Sequence, residues 1–215
     1  MRNTTEEYLA SLRPRLLAQV ILLFVDFVRP WAFLKSATAR HHRDWIRTLA
    51  CTILMPWSLP AWRRRAPQLA ESWKNKVLLE WLRSDRQLPI KVATLGVDAL
   101  VEPLLRHIDP NATLIAAGSL WAGHRIRVEG KRTWIEQRYP GLASKAIVIT
   151  DSEHDADLLA GPRAPILVKW PDAEYRPAFA NAYLPFLYTQ KAKRPNENYP
   201  VLFTGARLSP VSGGA

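Results

Sequence analysis

The chain has 215 residues, 48% of them hydrophobic and 23% charged, which suits one ordinary domain or a core with a small accessory domain. Its single cysteine, Cys51, excludes an internal disulfide and any cysteine-rich zinc site, and suits a reducing compartment. Thirty basic residues against 19 acidic ones give a net charge of +11, which fits anionic partners: nucleic acid, a membrane surface or a phosphorylated substrate.

Residues 5–85 read as helical. "TTEEYLASL" opens with N-capping residues ahead of a Glu pair. "RLLAQVILLFVDFVRPWAFL" is apolar, but Gln19, Asp26 and Arg29 interrupt it. Its clean part falls short of the ~20 residues that a spanning helix needs, so it reads as a buried or interfacial helix. Prolines 14, 30, 56, 60 and 67 are expected to cut this region into short helices. "LACTILM" places Cys51 among apolar neighbours, as a structural thiol rather than a nucleophile. His41 and His42 stand in a basic helix and are expected to be solvated. "ESWKNKVLLEWLRS" sets Trp73, Val77, Leu78 and Trp81 at helical spacing. Basic clusters and six of the nine tryptophans precede residue 85, a pairing that suits either helix packing or a membrane interface.

After residue 88 the period changes. "IKVATLG" reads as a strand, "VDALVEPLLRHI" as a helix and "ATLIAAGS" as a second strand. "GKRTWIEQRYPG" is a helix closed by Pro-Gly, and "KAIVIT" a third strand. "DADLLAG" is a short helix and "APILVKW" a fourth strand. Strands alternating with helices imply right-handed crossovers and one parallel sheet, with ligands outside the carboxyl ends of the strands. "YRPAFANAYLPFLYTQKAKRPNENYPVLF" reads as an amphipathic segment followed by a basic, proline-broken linker, and "GARLSPVSGGA" as a disordered tail.

Thr94 at a strand end, Gly130-Lys131 at a helix start, and Asp151-Ser152-x-x-Asp155 after a strand stand in that order in "KVATLG", "VEGKRTWIEQ" and "VITDSEHDADLL". This series resembles the second, third and fourth motifs of the haloacid dehalogenase-like (HAD) superfamily, in its phosphoserine-phosphatase-like branch. The likeness covers roughly residues 75–175, with "APILVKWPD" similar to the strand and turn that follow motif four. It implies an α/β fold: a HAD-like Rossmannoid parallel sheet with an N-terminal helical cap. The expected division is 1–74 cap, 75–175 core and 176–215 amphipathic segment, linker and tail. It further implies Mg²⁺-dependent phosphoester hydrolysis of a phosphorylated small molecule. Thr94 would donate to a phosphoryl oxygen, and Lys131 would offset phosphoryl charge. Asp151 would be the main acidic Mg²⁺ ligand, with Asp155 beside it as ligand or support.

Each residue also has a plain reading. Thr94 could be a generic strand-end threonine, Lys131 a solvated lysine, and Asp151-Ser152 a helix N-cap. His154 reads as a surface residue rather than a ligand. Thr150 stands where the family usually has Gly.

The family's catalytic aspartates belong to a strand followed by D-x-D-x-T, and no such motif occurs in the chain. "VILLFVDFVRP" supplies Asp26, but Val28 stands where the second aspartate belongs. Met1 is expected to begin just after the first motif, as in a fragment, a mis-called start or a degenerate member. Hydrolysis is accordingly expected to be impaired or incomplete. The alternative reading is a non-catalytic module that binds a membrane surface or a membrane-domain partner through the basic, Trp-rich cap. Only the net charge favours nucleic acid, since no helix-turn-helix, zinc or RNP pattern appears. The expected location is cytoplasmic, or membrane-associated on the alternative reading.

Overall fold

Helices of 8 to 16 residues fill most of the first third of the chain. In the computed structural model, residues 4–33, 39–74, 76, 79–80, 89–121, 123–152, 155–159, 164–169, 187–190 and 201–205 are described. The chain mixes helix with sheet in an α/β arrangement and divides into two compact units, Met1–Gly130 and Lys131–Ala215.

In the first unit, α1 (Thr4–Ser11), α2 (Arg15–Val28), a 3-10 turn (Pro30–Phe33), α3 (Ala39–Leu54) and α4 (Ser58–Trp73) precede β1 (Lys91–Val97), α5 (Asp98–Ile108), β2 (Thr113–Gly118) and α6 (Gly123–Glu129). Pro14 directly precedes α2, Arg29 ends that helix in the left-handed region at φ 50°, and Pro30 prevents its continuation. Pro60 and Pro67 do not break α4. Pro60 falls in the first turn, where a missing N–H costs little, and the helix runs through Pro67. Trp62, Ala66 and Ala70, four residues apart, bury one face of α4 on both sides of that proline. The stretch 71–84 is described in α4 as far as Trp73; Val77, Leu78 and Trp81 lie outside the described residues.

One core joins the N-terminal helices to the first strand–helix–strand unit. Tyr8, Leu12, Ile21, Val25, Cys51, Met55 and Trp62 share it with Val97, Leu100 and Leu104. Trp62, 1% exposed, donates its indole N–H to the Leu100 carbonyl at 3.0 Å, satisfying its one polar atom. Tyr8 meets Trp62 edge to face at 5.7 Å, and its hydroxyl lies 2.9 Å from Thr52 Oγ1 and 2.5 Å from Ser58 Oγ. Burial raises the Tyr8 pKa, so the phenol stays neutral and hydrogen-bonded. Cys51 is fully buried and its thiol is pushed up to about 11, which leaves it unreactive at neutral pH. His42 is buried rather than solvated, because it falls on the inward face of α3, three residues before the buried Trp45. The side chain of His41 lies outside those described.

Helix α2 is held to α3 by Asp26. Its carboxylate accepts from Arg43 Nη2 at 2.8 Å and Nε at 3.3 Å, and Arg47 Nε lies 3.6 Å away. The Arg43 hydrogen bond keeps the Asp26 carboxyl below its ordinary range.

Among the described residues the strands form two sheets rather than the expected single parallel one. β1 and β2 form a parallel pair in the first unit. In the second unit β3 (Ile147–Thr150) pairs parallel with β4 (Ala164–Lys169), and the order β3-β4-β6-β5 continues with two antiparallel strands. These are β5 (Leu187–Gln190) and β6 (Val201–Gly205), from the stretch read as an irregular segment and linker. Short runs such as "LYTQ" and "VLFTG" carry β-forming residues, but prolines and basic residues around them hide the period. Gly205 ends β6, and the rest of the expected tail lies outside the described residues. Helices α7 (Lys131–Arg138), α8 (Leu142–Lys145) and α9 (Ala156–Leu159) complete the second unit. Ile135, Ala143, Leu158, Leu159 and Ile166 are buried there.

Replacing Trp62 with Ala removes a filled volume and a satisfied donor. We expect a loss of about 3–5 kcal/mol in urea unfolding. Asp26→Asn tests the α2–α3 tie. Because the folded carboxyl has the lower pKa, its contribution is complete above the unfolded value near ~3.9 and fades as pH falls through the folded value. The variant's deficit should therefore be present at neutral pH and vanish under acid, read by thermal melts across pH.

Candidate functional site

The start of α7 and the end of β3 create the site in the second unit, and Gly130 immediately precedes it in the chain. Gly130 adopts φ 82°, a conformation open to glycine, and its N–H closes α6 on the Ile126 carbonyl at 3.1 Å. Helix α7 then restarts at once, so Lys131 becomes its first residue. On the other side, "IVIT" is a run of β-branched residues that forms β3, with Thr150 in register with Leu167 of β4. The chain leaves the strand at Asp151 and Ser152, and Asp155 N–H donates to the Ser152 carbonyl at 3.2 Å.

Lys131 and Asp155, 24 residues apart, meet here. The ammonium lies 2.7 Å from Asp155 Oδ1 and 2.9 Å from Oδ2. Only the Oδ2 approach has hydrogen-bond geometry, so the buried Oδ1 has a charge contact without a hydrogen bond. Both side chains are largely buried, 11% and 6% exposed. Thr150 donates its hydroxyl to Asp155 Oδ2 at 2.6 Å and accepts from the Ser152 N–H at 3.1 Å. A lysine at the first position of a helix opposes the helix dipole, and acidic groups nearby offset this. Asp155 is one. Asp157 is a second: its carboxylate accepts from the Arg132 N–H at 3.4 Å, and its carbonyl accepts from Arg132 Nη1 at 3.1 Å.

The remaining predicted site residues are Asp151 in the same turn and Thr94 in the other unit. Asp151, the first residue after β3, is exposed. Thr94 belongs to the first unit. It is not the last residue of its strand, because β1 continues to Val97 through an irregularity in register between Ala93 and Val97. Its Oγ1 accepts from the Gly96 N–H at 2.9 Å, which leaves the hydroxyl hydrogen available to donate. His154 lies outside the described residues. Asp26, the one aspartate that ends a long apolar run, sits on helix α2 bound to Arg43 rather than on a strand.

Among the described residues no three His, Cys, Asp or Glu side chains converge as a metal cluster. The Lys131 ammonium lies against both oxygens of Asp155, and the Thr150 hydroxyl takes a lone pair of Oδ2. Asp151 is the exposed carboxylate of the turn. Were Mg²⁺ to bind at this turn, Asp151 would hold it in part through water, since Mg²⁺ keeps much of its hydration shell. Asp155 stands behind it as the partner of Lys131.

Thr150 is the residue that sequence reasoning missed. It stood out only as a departure from glycine. A hydroxyl at the last strand position, five residues before an aspartate, was the available signal. Asp157 and Arg132 carry no signal in the sequence beyond their charge.

Lys131→Met should leave Asp155 as a buried, uncompensated carboxylate. We expect a loss of about 3–5 kcal/mol, measured by urea unfolding. Adding Asp155→Asn should recover most of it, because the neutral amide no longer needs the ammonium and can still accept from Thr150. Additive losses in the double variant would mean that the pair is not coupled.

Comparison with models of protein families, with curated proteins and with solved structures found no match to this chain.

Proposed function

We propose that this chain is a HAD-like hydrolase of the phosphoserine-phosphatase-like branch, descended from Mg²⁺-dependent phosphoester hydrolases, with its own turnover impaired. The observation that carries the reading is the buried Lys131–Asp155 pair, 2.7 Å apart. A lysine opening a helix and an aspartate in the turn after a β-branched strand are what the third and fourth motifs of that family require. Generic surface charges at these positions would not be drawn together and buried, because desolvating two ions is costly unless they pair.

The family likeness supplies the residue roles, and the Lys131–Asp155 contact supports them. Asp155 and Thr150 fix the Lys131 ammonium, which then presents positive charge to a phosphoryl group without freedom to wander. Thr94, with its oxygen already accepting from Gly96, would donate its proton to a phosphoryl oxygen. Asp151 would hold Mg²⁺, which supplies charge neutralisation for phosphoryl oxygens when bound. The substrate class is a phosphorylated small molecule. The sequence contains no D-x-D-x-T, so no residue takes the part of the attacking aspartate, and the covalent aspartyl-phosphate route is closed to these side chains.

The test is a pair of measurements on the 215-residue chain beside Asp151→Asn. Mg²⁺ should raise the melting temperature of the parent chain and leave the variant unmoved, since binding to the folded state alone stabilises it. Hydrolysis of p-nitrophenyl phosphate should stay at background in both. An equal Mg²⁺ shift in the variant would remove Asp151 as the metal ligand. Mg²⁺-dependent turnover lost in the variant would show an intact hydrolase and overturn the impairment.

A further inference from the structure

Helix α2 is apolar on two faces, and among the described residues only one of them is covered. Ala18, Ile21 and Val25, spaced i, i+3, i+7, are buried against the first unit's core. Leu16, Val20, Leu23, Phe24 and Phe27, spaced i, i+4, i+7, i+8, i+11, form a second stripe, and their exposures run from 56% to 85%. Arg15–Phe33 has a mean hydropathy of 1.7 and is only 17% buried. An exposed row of large side chains on this scale marks a contact surface rather than ordinary scatter.

We propose that this stripe docks α2 flat on an anionic lipid bilayer. Three observations choose that occupant. First, the rim is basic: Arg13 and Arg15 at one end of the helix and Arg29 at the other are all exposed. Between Arg13 and Arg65 the sequence has ten basic residues and two acidic ones. An anionic surface complements that rim, whereas a second copy would bring like charges together. Secondly, Trp57, 48% exposed, donates its indole N–H to the Arg13 carbonyl at 2.8 Å, which sets an amphipathic ring beside the start of the stripe. Tryptophan favours the headgroup level, where one edge is apolar and the other wet. Thirdly, α2 lies along the surface instead of crossing. Asp26 ties it to Arg43 and Arg47 of α3, and a crossing would carry those charges into hydrocarbon. A helix with one face in protein and the other in the interface needs no such transfer.

This inference is independent of the phosphoryl site. The experiment is co-sedimentation of the full chain with phosphatidylcholine vesicles, with and without phosphatidylglycerol. Sedimentation should require phosphatidylglycerol and weaken as salt rises from ~0.1 M to ~1 M, where screening shortens to a few ångströms. Phe24→Glu with Phe27→Glu should lower the apparent affinity at least ~10-fold, with circular dichroism and melting temperature unchanged because both rings lie outside the core. Undiminished binding in that variant, or no binding by a folded parent chain, would overturn the proposal. A dimer seen by light scattering in the parent and abolished in the variant would assign the stripe to a second copy and overturn it equally.

Discussion

The contact between Lys131 and Asp155 is the constraint on which the second unit's chemistry depends. Two opposite charges, both largely buried, are tolerable only in each other's company. Their meeting fixes the start of α7 against the turn that follows β3, and Thr150 locks the carboxylate by donating from the strand end. Gly130 is equally necessary, since its positive φ lets α6 stop and α7 begin with no intervening loop. A side chain held this way is preorganised, the condition under which a single ammonium contributes most to binding an anion.

The first unit is organised by a different device. Tyr8 and Trp62 are large aromatics whose polar atoms find partners inside the core: two hydroxyls for the phenol, a carbonyl for the indole. Those bonds join α1, α3, α4 and α5 at one point, and the aliphatic side chains fill the space around it. Helix α2 is attached to this body by its inner stripe and by Asp26, which leaves its outer stripe of leucines and phenylalanines without cover among the described residues. The exposed Arg13, Arg15 and Arg29 thus stand at the two ends of the hydrophobic stripe.

The phosphoryl reading and the membrane reading concern different units and different physics. One depends on a few charged groups held at hydrogen-bond distance in a dry setting, the other on apolar area and screened surface charge. With no D-x-D-x-T in the sequence, the proposed phosphoryl recognition would stand without the bond-making that completes it. Surface attachment needs no such residue.

Much of the local structure was legible from the chain alone. The strands over 91–97, 113–118, 147–150 and 164–169, and the helices over 98–108 and 131–138, follow from β-branched runs, helical periods and glycine or proline breaks. The order of Thr94, Lys131, Asp151 and Asp155 was likewise plain in the sequence. What the residues could not disclose was partnership. His42 looked solvated because its neighbours are basic, yet the turn of α3 carries it inward. Pro67 looked like a helix end, yet α4 runs through it with buried residues on either side. The strands at 187–190 and 201–205 are short and set among prolines, and pairing with β4 and with each other is what makes them a sheet. Local preference and period act over a few residues, so the sequence determined which segments are helix or strand and which carry charge. Burial and pairing depend on residues far apart in the chain, so only the tertiary structure decided that Asp155 belongs to Lys131, that Thr150 supports it, and that α2 keeps one apolar face outward.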